Sequence, residues 1–416
     1  MKVLFVSYGG GHIEMCLPVI RALRQVVEQC EVRLLALTTA FDVAKRAGES
    51  PLGYADFCNQ ADVKRALAYG EQLLHDQQHP TVSRQESLAY LGFNFLEWVR
   101  VEGESVAWER WRNIGRRGFL PLHFFDHVLR TEKPDVVVAT NSPRSEQAAL
   151  QAANALGIPS LSMVDLFALP GDPYLQRSHH ATRIAVLAET TRHNLMVAGV
   201  DSSRIVVTGN PAFDALTLPP FVDGGSKWRR LLGWQDQHVI FWAGHLEPDD
   251  AQPLDWAGSG LGQLVQDRLV QWVLARNDVC LAVRYHPNEW HKFARPPAHP
   301  RVHWSQPDQT ALMPVLAGCD QVVVQATTVG LQASKAGKRV VSLPFSPSVK
   351  HSGLDYAQLG ISVGANSLEH IVPVLEQGIG MVASHQSSDT ADSSAAMAVA
   401  LLIANLAVGA TQSTAI

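Results

Sequence analysis

Cysteine is sparse in this chain: Cys16, Cys30, Cys58, Cys280 and Cys319 are scattered over 416 residues with no CxxC pair. That excludes a zinc site of paired thiolates and a fully paired disulfide frame, and fits free thiols in a reducing cytoplasm. Positive charge is also short, with 34 Lys and Arg against 39 Asp and Glu and a formal net charge of −5. A nucleic-acid partner, which calls for a basic face, is therefore not expected. No DxD-like carboxylate pair follows a strand, so no metal is implied. The apolar run from Ala395 to Ala410 is short for a membrane span and carries Asn405, so it reads as a buried helix. Met1 leads directly into an apolar run suited to a strand, so no signal peptide is expected.

What is present begins at residue 1. MKVLFVSYGGGHIEMCLPVIRAL reads as a strand, a triple-glycine turn (Gly9, Gly10, Gly11) and a helix with Ile13, Leu17, Ile20 and Leu23 on one face. Such a turn brings backbone N–H groups together with no side chains in the way, suiting a phosphate or a closely approaching substrate. His12 stands where the helix begins, at the C-terminal edge of the first strand, which is where ligands bind in open α/β sheets.

The length calls for two domains, and alternating strands and helices imply parallel sheets with right-handed crossovers. In the first half, strands are read at 133–142, 157–165, 182–188 and 203–211, with helices at 146–156 and 189–198. Residues 216–237, with prolines and glycines, read as a linker. The alternation restarts at 238–244 and continues with strands at 279–287, 301–306, 321–328, 337–345 and 360–363. Between residues 40 and 132 lies a mostly helical insertion rich in Phe93, Phe95, Trp98, Trp108, Trp111, Phe119, Phe124 and Phe125, among which lie Arg110, Arg112, Arg116 and Arg117. Two readings stand: a basic, aromatic surface for an acceptor or a membrane, or aromatics packed on the core with solvated arginines. Glu102, Glu104 and Glu109 dilute the basic charge and favour the second.

Four segments, SYGGGHIEM, IVVTGNPAFDAL, RYHPNE and QATTVGLQASKAGKRVV, occur in this order along nearly the whole chain. Together they resemble the GT-B glycosyltransferase superfamily, which also contains UDP-sugar 2-epimerases and UDP-sugar hydrolases. The resemblance implies an α/β fold of two Rossmann-like, doubly wound parallel-sheet domains facing across a cleft. It places an acceptor domain at 1–215, the linker at 216–237, a nucleotide-sugar donor domain at 238–385, and a final helix within 386–416 that packs back on the first domain.

In the second half, a buried strand delivers Gln325, Thr327 and Thr328 to its C-terminal end, and Gly330 permits close approach at a helix N-terminus that suits a diphosphate. The alternative is that Thr327 only caps a helix and Gly330 only lets it pack tightly. Relatives usually place a glutamate on the ribose hydroxyls from this helix, and here Gln332 stands at that position. Arg284, His286 and Asn288 follow another strand. Arg284 suits phosphate charge and His286 a hydrogen bond to the same group, against the plainer reading of a surface or capping histidine. Gly244, His245 and Glu247 form a turn equivalent in position to the opening loop.

In similar inverting transferases the GHI histidine is a general base, and in the hydrolases it helps activate water. For His12, a helix N-terminus is expected to keep the imidazole neutral, with Asp165, at a strand end, as its orienting partner. Gly10, Gly11, Asn141, Arg144 and Asn210 are candidate substrate or acceptor contacts, Arg144 and Glu146 alternatively pairing on the surface and Asp214 capping the turn that follows it. The 2-epimerases carry an aspartate where this chain has Asn141 and an arginine soon after their first strand that this chain lacks, so acidic groups for elimination, and with them epimerase activity, are not expected here. The expected function is transfer of a sugar from a nucleotide-sugar donor to a carbohydrate, lipid-linked or small-molecule hydroxyl, with no cofactor, in the cytoplasm or peripherally at the inner membrane face. The alternatives are a nucleotide-sugar hydrolase or 2-epimerase, and a non-catalytic nucleotide-sugar-binding protein.

Overall fold

The computed structural model describes residues 1–59, 61–74, 82–169, 180–380 and 394–413. The chain divides into two compact units, Met1–Asp214 with Asp392–Ile416, and Ala215–Ala391.

The first unit is built on six parallel strands: β1 (Lys2–Tyr8), β2 (Glu31–Leu37), β3 (Val136–Thr140), β4 (Ser160–Val164), β5 (Arg183–Val186) and β6 (Ile205–Val207), in the order β2-β1-β3-β4-β5-β6. Its helices are α1 (Gly10–Val26), α2 (Thr39–Arg46), α3 (Val63–Leu74), α4 (Arg84–Glu102), α5 (Glu104–Ile114), α6 (Leu122–Glu132), α7 (Ser145–Ala155) and α8 (Glu189–Val197). Because strand side chains alternate faces, Leu4 and Val6 enter one core and Val3 and Phe5 the other. Both faces are apolar and both are covered, as all-parallel sheets require. The insertion helices α3–α6 cover one face. On the other, α1 is joined by the C-terminal helix (Ala395–Ser413), which buries Ala396, Val399, Ala400 and Ile403 beside Val3, Phe5 and Ile20.

The aromatic insertion packs inward. Phe93, Phe95, Trp98, Phe119, Phe124 and Phe125 are buried, and Trp108 and Trp111 lie against them. Tyr54 stacks on Phe124 at 4.0 Å, and Arg110 covers the Trp98 ring at 4.9 Å while pairing with Glu102. Arg112, Arg116 and Arg117 are exposed. The aromatics thus serve the core, the second of the two readings. Among the described residues no helix is long and apolar enough to cross a membrane.

The second unit has strands β7 (His238–Gly244), β8 (Val279–Tyr285), β9 (Val302–Trp304), β10 (Gln321–Val324), β11 (Arg339–Ser342) and β12 (Val363–Gly364), all parallel, in the order β12-β11-β10-β7-β8-β9. Its helices are α9 (Pro219–Leu232), α10 (Gly260–Leu274), α11 (Leu312–Gly318), α12 (Thr328–Lys335), α13 (Pro347–Ser352) and α14 (Ile371–Glu376). The segment read as a linker is mostly α9. Pro219 and Pro220 fit its first turn, where their missing N–H groups cost nothing, and Trp228 is buried with its ring edge-on to Trp234. One amphipathic face therefore outweighs the turn-forming residues of that stretch.

Candidate functional site

Each sheet reverses its strand order at one place, and ligands of open α/β sheets bind beyond the strand C-termini there. In the first unit the reversal lies between β1 and β3, and in the second between β7 and β10. Gly10, Gly11, His12, Asn141 and Arg144 follow β1 and β3, and Gly244, His245, Gln325, Thr327 and Thr328 follow β7 and β10, whereas Asp165, Asn210, Arg284, His286 and Asn288 belong to the ends of β4, β6 and β8.

At the first, Gly9 adopts φ +86° as the cap of α1, and Gly11 is exposed, with open space where a side chain would begin. His12 follows. Its Nδ1 lies 2.8 Å from the Thr140 hydroxyl, which itself donates to Glu146 Oε1 at 2.7 Å, so Nδ1 carries the proton and donates to Thr140. Glu146 Oε1 also stands 3.6 Å from Nδ1, while Asp165 Oδ2 stands 3.5 Å from Nε2. Burial opposes charge on the imidazole, but the Asp165 and Glu146 carboxylates outweigh it and hold the pKa up at about 10. The residue expected to be neutral is an imidazolium at neutral pH. The helix N-terminus contributes only partial charge, whereas two carboxylates contribute whole ones.

Asp165 is joined to His12 as its strand-end position suggested. Glu146 was missed: instead of pairing with Arg144 on the surface, it is fully buried. The chain turns at Arg144, with φ +70°, into α7, and the first turn of that helix faces inward. There Glu146 also accepts from Tyr8 N at 3.0 Å, while its Oε2 has no partner. Two acidic groups therefore flank this histidine, at positions other than the one used to argue against elimination chemistry.

Asn141 accepts from the Asp165 backbone N–H at 3.4 Å. Asn210 is buried; it donates to the Asp165 carbonyl at 3.2 Å and accepts from Ala212 N at 2.9 Å, so it shapes the Asp165 loop rather than offering its amide to a ligand. Gly10 and Gly11 form the first turn of α1, and Arg144 lies 4.6 Å over the Tyr8 ring. Asp214 caps the C-terminal helix, not the turn after it, accepting from Ser394 Oγ at 2.7 Å and from Ala395 N and Ala396 N at 3.1 and 2.9 Å.

At the second reversal, Gln325 is wholly buried. Its Oε1 accepts from His245 N at 3.0 Å and its amide donates to Glu247. Glu247, also buried, further accepts from Ser346 Oγ at 2.5 Å and Ser348 N at 2.6 Å. Gln325 and Glu247 thus fasten three loops together and do not project to a ligand, a correction to the expectation for Gln325. Gly244 packs against Tyr285 and Trp242, and His245 Nδ1 donates to the Leu246 carbonyl at 2.7 Å, leaving a buried Nε2 without a partner. Thr327 caps α12 by accepting from Val329 N at 3.4 Å, and Thr328 is exposed at the helix start. Gly330 packs under Tyr356, where a side-chain carbon would come 2.6 Å from the ring. The capping and packing roles are therefore present beside whatever the helix N-terminus binds. Gln332 Oε1 is buried with no hydrogen-bond partner.

Arg284 is 9% exposed. It donates to Ser305 Oγ at 2.9 Å and to the Thr310 carbonyl at 2.7 Å, and among the described residues no carboxylate pairs with it. Burial without a counter-ion pushes its pKa down. His286 is exposed, and its Nδ1 accepts from Asn288 N at 3.3 Å, which is the capping role.

The chain matches no protein-family model and no curated protein. Its structure is similar to that of a UDP-GlcNAc 2-epimerase from Neisseria meningitidis bound to UDP-GlcNAc, at 14% identity and TM-score 0.61, over 98% of this chain and 100% of that one. It is also similar to a UDP-GlcNAc 2-epimerase from Methanocaldococcus jannaschii in complex with UDP-GlcNAc and UDP, at 13% identity and TM-score 0.60, over 97% and 100%. A putative UDP-N-acetylglucosamine 2-epimerase from Listeria monocytogenes matches at 16% identity and TM-score 0.57, over 96% and 91%. These likenesses, with the two six-stranded parallel sheets, identify the fold of this chain as GT-B, two Rossmann-like units in one polypeptide.

Proposed function

We propose that this protein is an enzyme that cleaves the sugar–phosphate bond of a nucleotide sugar, as a 2-epimerase or hydrolase. The observation that carries the reading is the charged His12 held between Asp165 and Glu146 at the β1/β3 reversal. An imidazolium is a proton donor and an electrostatic partner for a departing diphosphate, and a poor general base. Asp165, partly open to solvent, is the better base, whether toward a sugar C–H or a water. Glu146 keeps the imidazole charged from below. In the second unit, the unpaired Arg284 and the start of α12 suit phosphate oxygens, and the free Gln332 Oε1 suits a ribose hydroxyl. The neighbours that hold UDP-GlcNAc or UDP support a UDP-sugar as the ligand. No cofactor is invoked, since the nucleotide sugar is itself the substrate.

Transfer to an acceptor hydroxyl is the second reading, and two features favour it: the partly open Asp165 carboxylate, and the open space at Gly11 next to His12. The two separate when UDP-sugars are incubated without acceptor in D2O and followed by NMR. Epimerisation incorporates deuterium at C2, and hydrolysis gives free sugar and UDP. Absence of both, with turnover only on adding an acceptor, would overturn the first reading in favour of the second.

A further inference from the structure

The strand β3 reads Val136, Val137, Val138, Ala139, Thr140, and every residue in it is buried. An apolar β-branched residue in the last place would suit the sheet as well, and a buried hydroxyl is costly unless it is hydrogen-bonded. Thr140 is wholly buried, and its hydroxyl is engaged on two sides. It donates its single proton to Glu146 Oε1 at 2.7 Å and lies 2.8 Å from His12 Nδ1. With that proton committed, the oxygen can only accept from the imidazole. Nδ1 is therefore a donor in both charge states of the ring, and Nε2 is the nitrogen free to release or take up a proton.

The surroundings separate the two nitrogens in the same sense. Nδ1 faces the interior, where Glu146 Oε1 stands 3.6 Å away and is held in place by Tyr8 N at 3.0 Å. Nε2 faces Asp165, whose side chain is one-quarter exposed. Among the described residues, the charged groups facing the ring are these two carboxylates, one from α7 and one from the end of β4. At 3.6 Å, Glu146 is too distant for a hydrogen bond of its own to Nδ1. Only through the Thr140 hydroxyl does it reach the ring by hydrogen bonds.

We infer that Thr140 is the positioning residue of His12: its hydroxyl fixes the orientation and tautomer of the imidazole, so that the exchangeable proton sits on Nε2, on the Asp165 side. That proton is the one the nucleotide-sugar reading sends to the departing diphosphate. Effects on turnover therefore rest on that reading, whereas the state of the ring nitrogens does not.

The test compares the wild type with Thr140→Val, which keeps the shape and removes the hydroxyl, and with Thr140→Ser, which restores it. In proton–nitrogen correlation spectra of the full chain labelled at histidine, the His12 Nδ1 proton should give a slowly exchanging resonance at neutral pH. It should vanish in Thr140→Val, with the His12 pKa lower by about 1, and return in Thr140→Ser. On a UDP-sugar, Thr140→Val should lower kcat by about 10- to 100-fold with KM within about twofold, and Thr140→Ser should recover most of the loss. A slow proton on Nε2 and none on Nδ1 in the wild type would overturn the inference, and that spectrum decides even where the valine variant does not fold. So would a valine variant that keeps both the Nδ1 resonance and the pKa. Spectra as expected with no UDP-sugar turned over would sink the nucleotide-sugar reading and leave the assignment of Thr140 standing.

Discussion

Nε2 of His12 lies 3.5 Å from Oδ2 of Asp165, with both side chains one-quarter exposed, so the imidazolium and its carboxylate are each reached by solvent. Replacing His12 by Gln should lower turnover by about 100- to 10,000-fold. On the proposed assignment of the phosphates to Arg284 and the start of α12, UDP affinity should stay within about twofold. Steady-state rates on a UDP-sugar alongside UDP titration calorimetry check both halves of this expectation.

Because its folded pKa of about 10 lies above the unfolded value near 6.5, His12 stabilises the fold through its bound proton. That contribution is complete below about pH 6.5 and is lost as pH rises towards 10. Urea melts of the wild type and of His12→Gln across this range should give a stability difference that shrinks steadily with pH. A difference that grows with pH would mean that the imidazole is neutral in the folded state.

Glu146→Gln removes the buried carboxylate and leaves the imidazole with Asp165 alone. A loss of about 3 kcal/mol in stability at pH 7 is expected, as for breaking a buried ion pair, with the His12 pKa falling. Denaturant melts give the first, and NMR titration of the His12 ring gives the second.

Arg284→Gln should weaken UDP binding by about 10- to 100-fold, the effect of losing a charge-assisted contact in a desolvated site. If calorimetry finds UDP affinity unchanged in a variant with an unchanged melting temperature, Arg284 serves only Ser305 and Thr310.

Gly330→Ala places a methyl group 2.6 Å from the Tyr356 ring and should cost about 1–3 kcal/mol. Since Tyr356 donates to the Thr327 carbonyl at 2.9 Å, the same change should displace the start of α12. Thermal melts and UDP titration are expected to respond together.

Most strands were legible because a parallel sheet covered on both faces writes itself as near-continuous apolar runs. The strand β2 was not, since Glu31 and Arg33 break its run, and Arg33 is accommodated only through Glu132 at the end of α6, at 2.9 and 3.1 Å. Asp165 was readable from its place at a strand end. Glu146 was not, because a glutamate in the first turn of a helix looks like a solvated residue favoured by the helix dipole, and only the docking of α7 buries it. The charge on His12 was equally out of reach, as it depends on two carboxylates more than 130 residues away in sequence. Gln325 misled in the opposite sense: its strand-end position suits a ligand, but its amide is consumed by Glu247 and His245.

The C-terminal helix has a consequence for the order of synthesis. One hydrophobic layer of the first unit is finished only by Ala396, Val399, Ala400 and Ile403, residues made after the whole of the second unit. As the polypeptide emerges from the ribosome, Ala215–Ala391 can complete its own sheet while Val3, Phe5 and Ile20 still await their cover. Emergence of this helix, rather than the appearance of the first sheet, is the event that lets the first-made half close.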